Sequence, residues 1–265
     1  MNDAPEKIVE LRGVKLRFGE KVILDGVDIA VAAQEVLVIM GMSGGGKSTL
    51  LNIILGLLKP QAGIVLFKGA DLTRFSRTEL NRARTHMGMV YQNAALLSSM
   101  TVRENVGFPL SELTDKTDKE IATLVDQKLE LVGLKDAGEK LPSELSGGMR
   151  KRVGLARALA LDPELILFDE PSAGLDPINS RLIDDLIVRL RDEQKVTSIV
   201  VTHEMDSAFA VGTRMAFLHE GKIILDGSPE EFRHTSLPIV KQFLSAYEDP
   251  KDPQNPQKSS LHATP

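Results

Sequence analysis

The chain has no cysteine, and with none it can hold no disulfide and no thiolate metal site, a composition that fits a reducing compartment. Nor does it contain a run of about 18 apolar residues, so no segment reads as membrane-spanning. The N-terminus lacks the basic start and apolar stretch of a secretory signal. A basic excess is missing too. The net charge is −5, which argues against broad binding to a phosphate backbone and for an absence of nucleic acid among the partners. With 265 residues, 42% hydrophobic and 26% charged, the chain has the make-up of a water-soluble α/β protein, large enough for a core plus a smaller subdomain.

The densest chemical signal is Gly41-Met42-Ser43-Gly44-Gly45-Gly46-Lys47-Ser48-Thr49. It lies between the apolar run Val36–Met40 and the helical pattern Leu50–Leu55, the strand–loop–helix setting of a phosphate-binding P-loop. Glycines let backbone N–H groups converge on an anion, and the helix dipole adds attraction. Lys47 is expected to reach the β- and γ-phosphates of a nucleotide, and Ser48 to ligate Mg²⁺.

The first forty residues read as four short strands, Ile8–Leu11, Val14–Phe18, Lys21–Leu24 and Val27–Val31, punctuated by glycines and joined as an antiparallel sheet. Further strands are expected at Ile64–Phe67 and Gly88–Tyr91, with a helix between them over about 78–85. From about residue 93 to 161 the strand pattern stops; 119–132 and 147–161 carry helical periodicity, forming a helical insertion. The α/β pattern then returns: strand Leu165–Phe168; helix Ile178–Leu190 with Ile178, Leu182, Ile183, Leu186 and Leu190 inward; strand Val196–Val201; a hairpin around Glu220-Gly221; and a short helix after Ser228-Pro229. The final sixteen residues hold four prolines and read as a tail.

Two more stretches carry chemistry. Leu165–Phe168 delivers Asp169 and Glu170 to the strand end that faces ligands in open α/β sheets. Asp169 is expected to hold Mg²⁺ and Glu170 to polarise or deprotonate the attacking water. Leu145-Ser146-Gly147-Gly148-Met149 opens a helix and is a second candidate anion site.

The P-loop, Gln92, Leu145–Met149, Leu165–Glu170, Ser172-Ala173-Gly174-Leu175-Asp176 and His203 resemble, in order and spacing, the ATPase subunits of ABC transporters; the resemblance covers 7–235. It implies a P-loop NTPase (RecA-like) α/β core with an N-terminal antiparallel β subdomain and an inserted α-helical subdomain at about 93–161. A C-terminal helix at 236–247 and a disordered or inter-subunit tail at 248–265 would follow. It also implies roles. Phe18 would stack on adenine beside Val22; Gln92 would ligate Mg²⁺ and sense the γ-phosphate; His203 would bond that phosphate. Ser146, Gly147, Gly148 and Asp176 would act on the nucleotide of a second copy, in an ATP-sandwich dimer. Met149 departs from the usual glutamine.

The segments Asn93–Leu97 and Met100–Leu110, with Leu-Ser-Gly-Gly-Met, further resemble ATPases of the Mce/Mla type. That implies ATP-driven phospholipid transport between inner and outer membranes. The partners would be an integral-membrane permease, an Mce-domain protein and a small cytoplasmic regulatory subunit, at the cytoplasmic face of the inner membrane. Lipoprotein release or small-molecule transport is the nearest alternative, and a non-transport ABC protein a more distant one. Ala94, Ala95, Leu96 and Leu97 are expected to form an apolar patch for the permease, and Phe243 and Tyr247 to anchor a tail contact between subunits.

Overall fold

The computed structural model describes residues 6–248; the expected tail lies outside them but for its first residue. Two long strands open the chain, β1 (Lys7–Phe18) and β2 (Lys21–Ala32). The four short strands expected here are thus two, because the glycine punctuation bends the ladder without ending it. The register slips between Leu11 and Lys15, beside Gly13, and pairing continues on both sides as a β-bulge does. β3 (Val36–Met40) leads into α1 (Lys47–Ile54), and β4 (Ala62–Phe67) and β5 (Ala70–Asp71) complete an antiparallel sheet of order β2-β1-β4-β5.

α2 (Arg77–Arg84) precedes β6 (Met87–Val90). Three helices follow before the next strand: α3 (Val102–Leu113), α4 (Asp118–Leu131) and α5 (Gly147–Ala158). α3 is an element the periodicity did not mark. Pro109 lies inside it, and its start is fixed by a capping box between Thr101 and Glu104. β7 (Leu165–Asp169), α6 (Pro177–Gln194), β8 (Thr197–Val201), α7 (Met205–Val211), β9 (Arg214–His219), β10 (Lys222–Gly227), α8 (Pro229–Arg233) and α9 (Pro238–Glu248) close the described chain. They build a six-stranded sheet of order β10-β9-β3-β8-β7-β6, parallel except for β10.

Both faces of that sheet are covered, which is why its strands are apolar without alternation. Val36, Val38 and Met40 point into a core shared with the helices of the insertion, α6, α7 and α9. Leu37 and Ile39 point into a second core with α1 and the antiparallel sheet. Arg214 ties the sheets together: it forks onto Asp226 and donates to the Ala30 carbonyl at 2.7 Å.

On α6 the buried stripe is Ile183, Leu186, Ile187 and Leu190. Ile178 and Leu182, expected inward, are exposed, Ile178 by 74%, because the first turn projects beyond the sheet before the helix meets the core. Phe243 is also corrected. It is buried in its own domain and meets Phe217 of β9 edge to face at 5.0 Å, while the Tyr247 side chain and the tail contact expected of it lie outside the described residues.

Candidate nucleotide site at the carboxyl edge of the sheet

β3, β8 and β7 are neighbours, so Gly41, Thr202-His203 and Asp169-Glu170 leave the sheet side by side. Gly41 has φ +146°, and a Cβ there would lie 2.1 Å from the Leu218 carbonyl oxygen; no other residue fits this exit from β3. The loop closes with Gly46 at the start of α1, where no side chain caps the helix. Its first-turn N–H groups are therefore left to an anion.

Lys47 is buried, and its Nζ donates to the carbonyls of Gly41 (2.8 Å) and Met42 (3.0 Å). Burial pulls its ammonium below the usual lysine value, opposed by the charges of Glu170 and Asp169. The Ser48 hydroxyl donates to Asp169 Oδ1 at 2.9 Å. Burial pushes the Asp169 carboxyl above its ordinary value; the Ser48 bond lowers it, Glu170 raises it and Lys47 lowers it.

Glu170 has φ +52°, a left-handed backbone rarely adopted by a residue with a side chain. Its N–H donates to the Val201 carbonyl at 2.8 Å. Its Oε2 lies 2.8 Å from His203 Nδ1 and accepts the His203 backbone N–H at 3.3 Å. The Glu170 hydrogen bond raises the His203 pKa above the ordinary histidine value, against the lowering effect of burial.

Phe18 and Val22 flank the β1–β2 turn and are 54% and 47% exposed; Phe18 is a free aromatic face and not a core strand residue. Gln92 is exposed just past β6. The loop behind it is held by Arg157 of α5, which donates to the Ala94 and Ala95 carbonyls at 2.8 and 2.7 Å. Ala94 is 2% exposed and packs on Gly154, and Leu96 is half-buried. The apolar patch expected over Ala94–Leu97 is therefore split: Leu97 faces outward while Ala94 closes the core beneath.

Ser146 caps α5 by accepting the Met149 N–H at 3.2 Å. Ser146, Gly147 and Gly148 make no hydrogen bond to the Gly41–Thr49 loop among the described residues; the chain brings them to α6 instead. A Cβ on Gly148 would lie 2.5 Å from Asn179 Oδ1, and Asn179 Nδ2 donates to Asp176 Oδ2 at 2.5 Å. Asp176 also caps α6 through Ile178 and Asn179 N–H groups, and these bonds hold its carboxyl below the usual value. Asn179 was not singled out in the sequence; its position three residues after a capping aspartate is the one signal that points to it. Lys151, buried, and Arg157, half-buried, are cations on α5 that the sequence does not single out, because a Lys/Arg-rich helix reads as solvated.

The described residues contain no helix long and apolar enough to cross a membrane. Residues 24–173 match the family model described as ABC transporter. The chain is 40% identical over 244 residues to the intermembrane phospholipid transport system ATP-binding protein MlaF of Haemophilus influenzae, covering 92% of each chain. It is 41% identical over 237 residues to the probable ribonucleotide transport ATP-binding protein mkl of Mycobacterium leprae, covering 89% of this chain and 68% of that protein. Among solved structures, the dimeric post-hydrolysis state of the ATP-binding cassette MJ0796 bound to ADP and Pi superposes with a TM-score of 0.76. It is 33% identical, over 83% of this chain and 98% of that one. With the loop, the carboxylates and the histidine gathered at one sheet edge, the chain belongs to the ABC-transporter family, as an ATP-binding and ATP-hydrolysing subunit.

Proposed function

We propose that this ATPase powers phospholipid transport between the inner and outer membranes, working as a dimer on the cytoplasmic face of the inner membrane through a separate permease. The observation that carries the cargo is the end-to-end match to MlaF, 92% of both chains. The mycobacterial relative carries a different printed cargo, ribonucleotide, and it matches over 68% of its length. ATP transport work on another substrate is the second reading.

In the proposed mechanism Phe18 and Val22 receive the adenine face, the Gly41–Thr49 loop the phosphates, and Lys47 the β- and γ-phosphate charge. Glu170, held by His203, takes the proton of the attacking water, and His203 bonds the γ-phosphate. The water oxygen bonds the γ-phosphorus as its bond to the β,γ-bridging oxygen breaks, leaving inorganic phosphate and ADP. Ser146, Gly147, Gly148 and Asp176 complete the site of the other copy. Support for this arrangement is that none of the four makes a hydrogen bond to its own P-loop among the described residues, together with the dimeric state of the MJ0796 cassette.

The residues fit Mg²⁺: Ser48 hydroxyl, Asp169 carboxylate and Gln92 amide are hard oxygen donors, and the half-buried, up-shifted Asp169 is a carboxylate that a cation would relieve. Bound there, the metal supplies charge neutralisation of the β- and γ-oxygens.

A groove of about 440 Å³ between α3 and α4, lined by Met100, Gly107, Phe108, Ile121, Ala122 and Val125, supports a helical element of the permease as partner. An Mce-domain protein and a small cytoplasmic regulatory subunit complete the proposed assembly.

Affinity purification from membranes tests the reading. The ATPase should bring down a permease and an Mce-domain protein, and its turnover in that complex should depend on phospholipid. A complex lacking an Mce-domain protein and indifferent to lipid overturns the phospholipid reading. For the ATPase mechanism, Glu170→Gln should bind ATP and stall as an ATP-bound dimer; wild-type turnover in that variant overturns the role of Glu170.

A further inference from the structure

Lys151 lies on α5, one turn past the Ser146–Gly148 loop, and is 7% exposed. A buried ammonium ordinarily has a carboxylate against it. Lys151 forms no ion pair within 4 Å among the described residues; its Nζ donates to two main-chain carbonyls, Ala173 at 2.7 Å and Glu170 at 3.2 Å. Burial lowers its pKa from the usual lysine value, and the charges of Glu204 and Glu170 work against that lowering.

The placement of those two carbonyls gives the contact its meaning. Glu170 is held in a left-handed conformation that is strained for a residue with a Cβ and persists only when neighbours impose it. Three elements impose it here. β8 takes the N–H through Val201, His203 takes the side chain, and α5 takes the carbonyl through Lys151. The same ammonium fixes Ala173, three residues before Asp176. α5 is thereby bonded to both ends of the segment that carries Glu170 into the Ala173–Asp176 turn.

We propose that Lys151 is a positioning residue for hydrolysis: it holds the Glu170 main chain in its left-handed conformation and so links the helix that begins at Ser146 to the carboxylate that activates water. This rests on the role given to Glu170 above. Its consequence is directional. A shift of α5, whose N-terminus would meet the nucleotide of the second copy, is passed by one side chain to the Glu170 of its own site.

The test uses the full chain with three variants. Lys151→Met keeps the length and apolar stem and removes the donors; Lys151→Arg restores donors for two carbonyls; Glu170→Gln is the control for the underlying role. ATP turnover and the affinity for a fluorescent ATP analogue are measured for each. A displacement of the base by about 1 Å costs on the order of a hundredfold in rate. Lys151→Met is therefore expected to lower kcat by roughly ten- to a hundredfold with binding affinity within about twofold of wild type, and Lys151→Arg to recover most of kcat. Wild-type kcat in Lys151→Met, with Glu170→Gln inactive, overturns the proposal and leaves Glu170 in place. Loss of ATP binding together with kcat in Lys151→Met also overturns it, since the lysine would then support the fold at large. Wild-type turnover in Glu170→Gln overturns the role of Glu170 itself, whatever Lys151 does.

Discussion

The Ser48 hydroxyl donates to Asp169 Oδ1 at 2.9 Å, joining the first turn of α1 to the end of β7 across 121 positions of sequence. This bond leaves a half-buried carboxylate with one short-range donor and a raised pKa. Ser48→Ala removes the donor and one oxygen of the proposed metal set. A hydrogen bond to a charged group contributes about 1.5–3 kcal/mol, so ATP affinity measured with Mg²⁺ should fall by roughly tenfold or more. Affinity measured in a chelator should change far less, and calorimetric titration under both conditions checks this.

His203 is held at 2.8 Å by the Glu170 carboxylate. The folded His203 pKa is raised above 6.5 by the Glu170 hydrogen bond. Its protonated form therefore stabilises the folded state fully below the unfolded histidine pKa, and that contribution is lost as pH rises through the higher folded value. In Glu170→Gln the acceptor loses its charge, and the His203 pKa should fall back toward the ordinary value. Imidazole proton NMR across pH 5 to 8.5 reads the shift; an unchanged His203 midpoint would contradict the pairing.

Asp184 on α6 is a buried acid whose pKa is pushed up to about 6. Burial is the main cause, the Ser207 hydrogen bond lowers it, and Glu204, Asp185 and Asp206 raise it again. Oδ2 accepts from Ser207 at 2.9 Å, Oδ1 has no partner among the described residues, and Ser207 in turn meets buried Ser172 at 3.3 Å. Its protonated form is favoured in the folded state, so the cost of ionisation is fully present above about pH 6 and vanishes below the ordinary aspartate value. Asp184→Asn should raise stability at pH 8 by up to about 3 kcal/mol, with a gain that shrinks toward pH 4. Urea unfolding at several pH values measures the difference.

Gly148→Ala would push a methyl to within 2.5 Å of Asn179 Oδ1, whose side chain is already bonded to Asp176. The expected outcome is normal affinity for ATP at the P-loop with loss of ATP-dependent dimerisation and turnover. Size-exclusion chromatography in a Glu170→Gln background reads the dimer directly.

Phe243→Ala removes a buried ring packed edge to face on Phe217. The cavity should cost about 3–5 kcal/mol of stability, while ATP affinity per folded molecule stays at the wild-type value. Thermal melting with and without ATP separates the two effects.

Much of this molecule is legible in its sequence because glycine-rich loops and fully apolar strands are rare and self-announcing. Gly41–Thr49 and Leu165–Glu170 mark, in the sequence itself, loops that leave the same edge of the sheet. What failed had physical reasons. The β1 and β2 glycines were read as ends, although a bulge absorbs them. α3 was hidden by Pro109, although its Thr101–Glu104 capping box was in plain view. α7, seven residues without a side-chain cap, offers almost no local signal. Lys151 and Arg157 are illegible for a different reason: each donates to main-chain carbonyls that only tertiary packing brings to it.

β3 divides its five side chains between two cores, Val36, Val38 and Met40 on one side and Leu37 and Ile39 on the other. A strand shared in this way cannot be withdrawn from one core without opening the other. The antiparallel sheet is therefore no detachable module that could be excised or exchanged while the rest survives. Heating should melt both halves in a single cooperative step, and the phosphate loop, hanging from the end of that strand, should keep its shape until the whole molecule gives way.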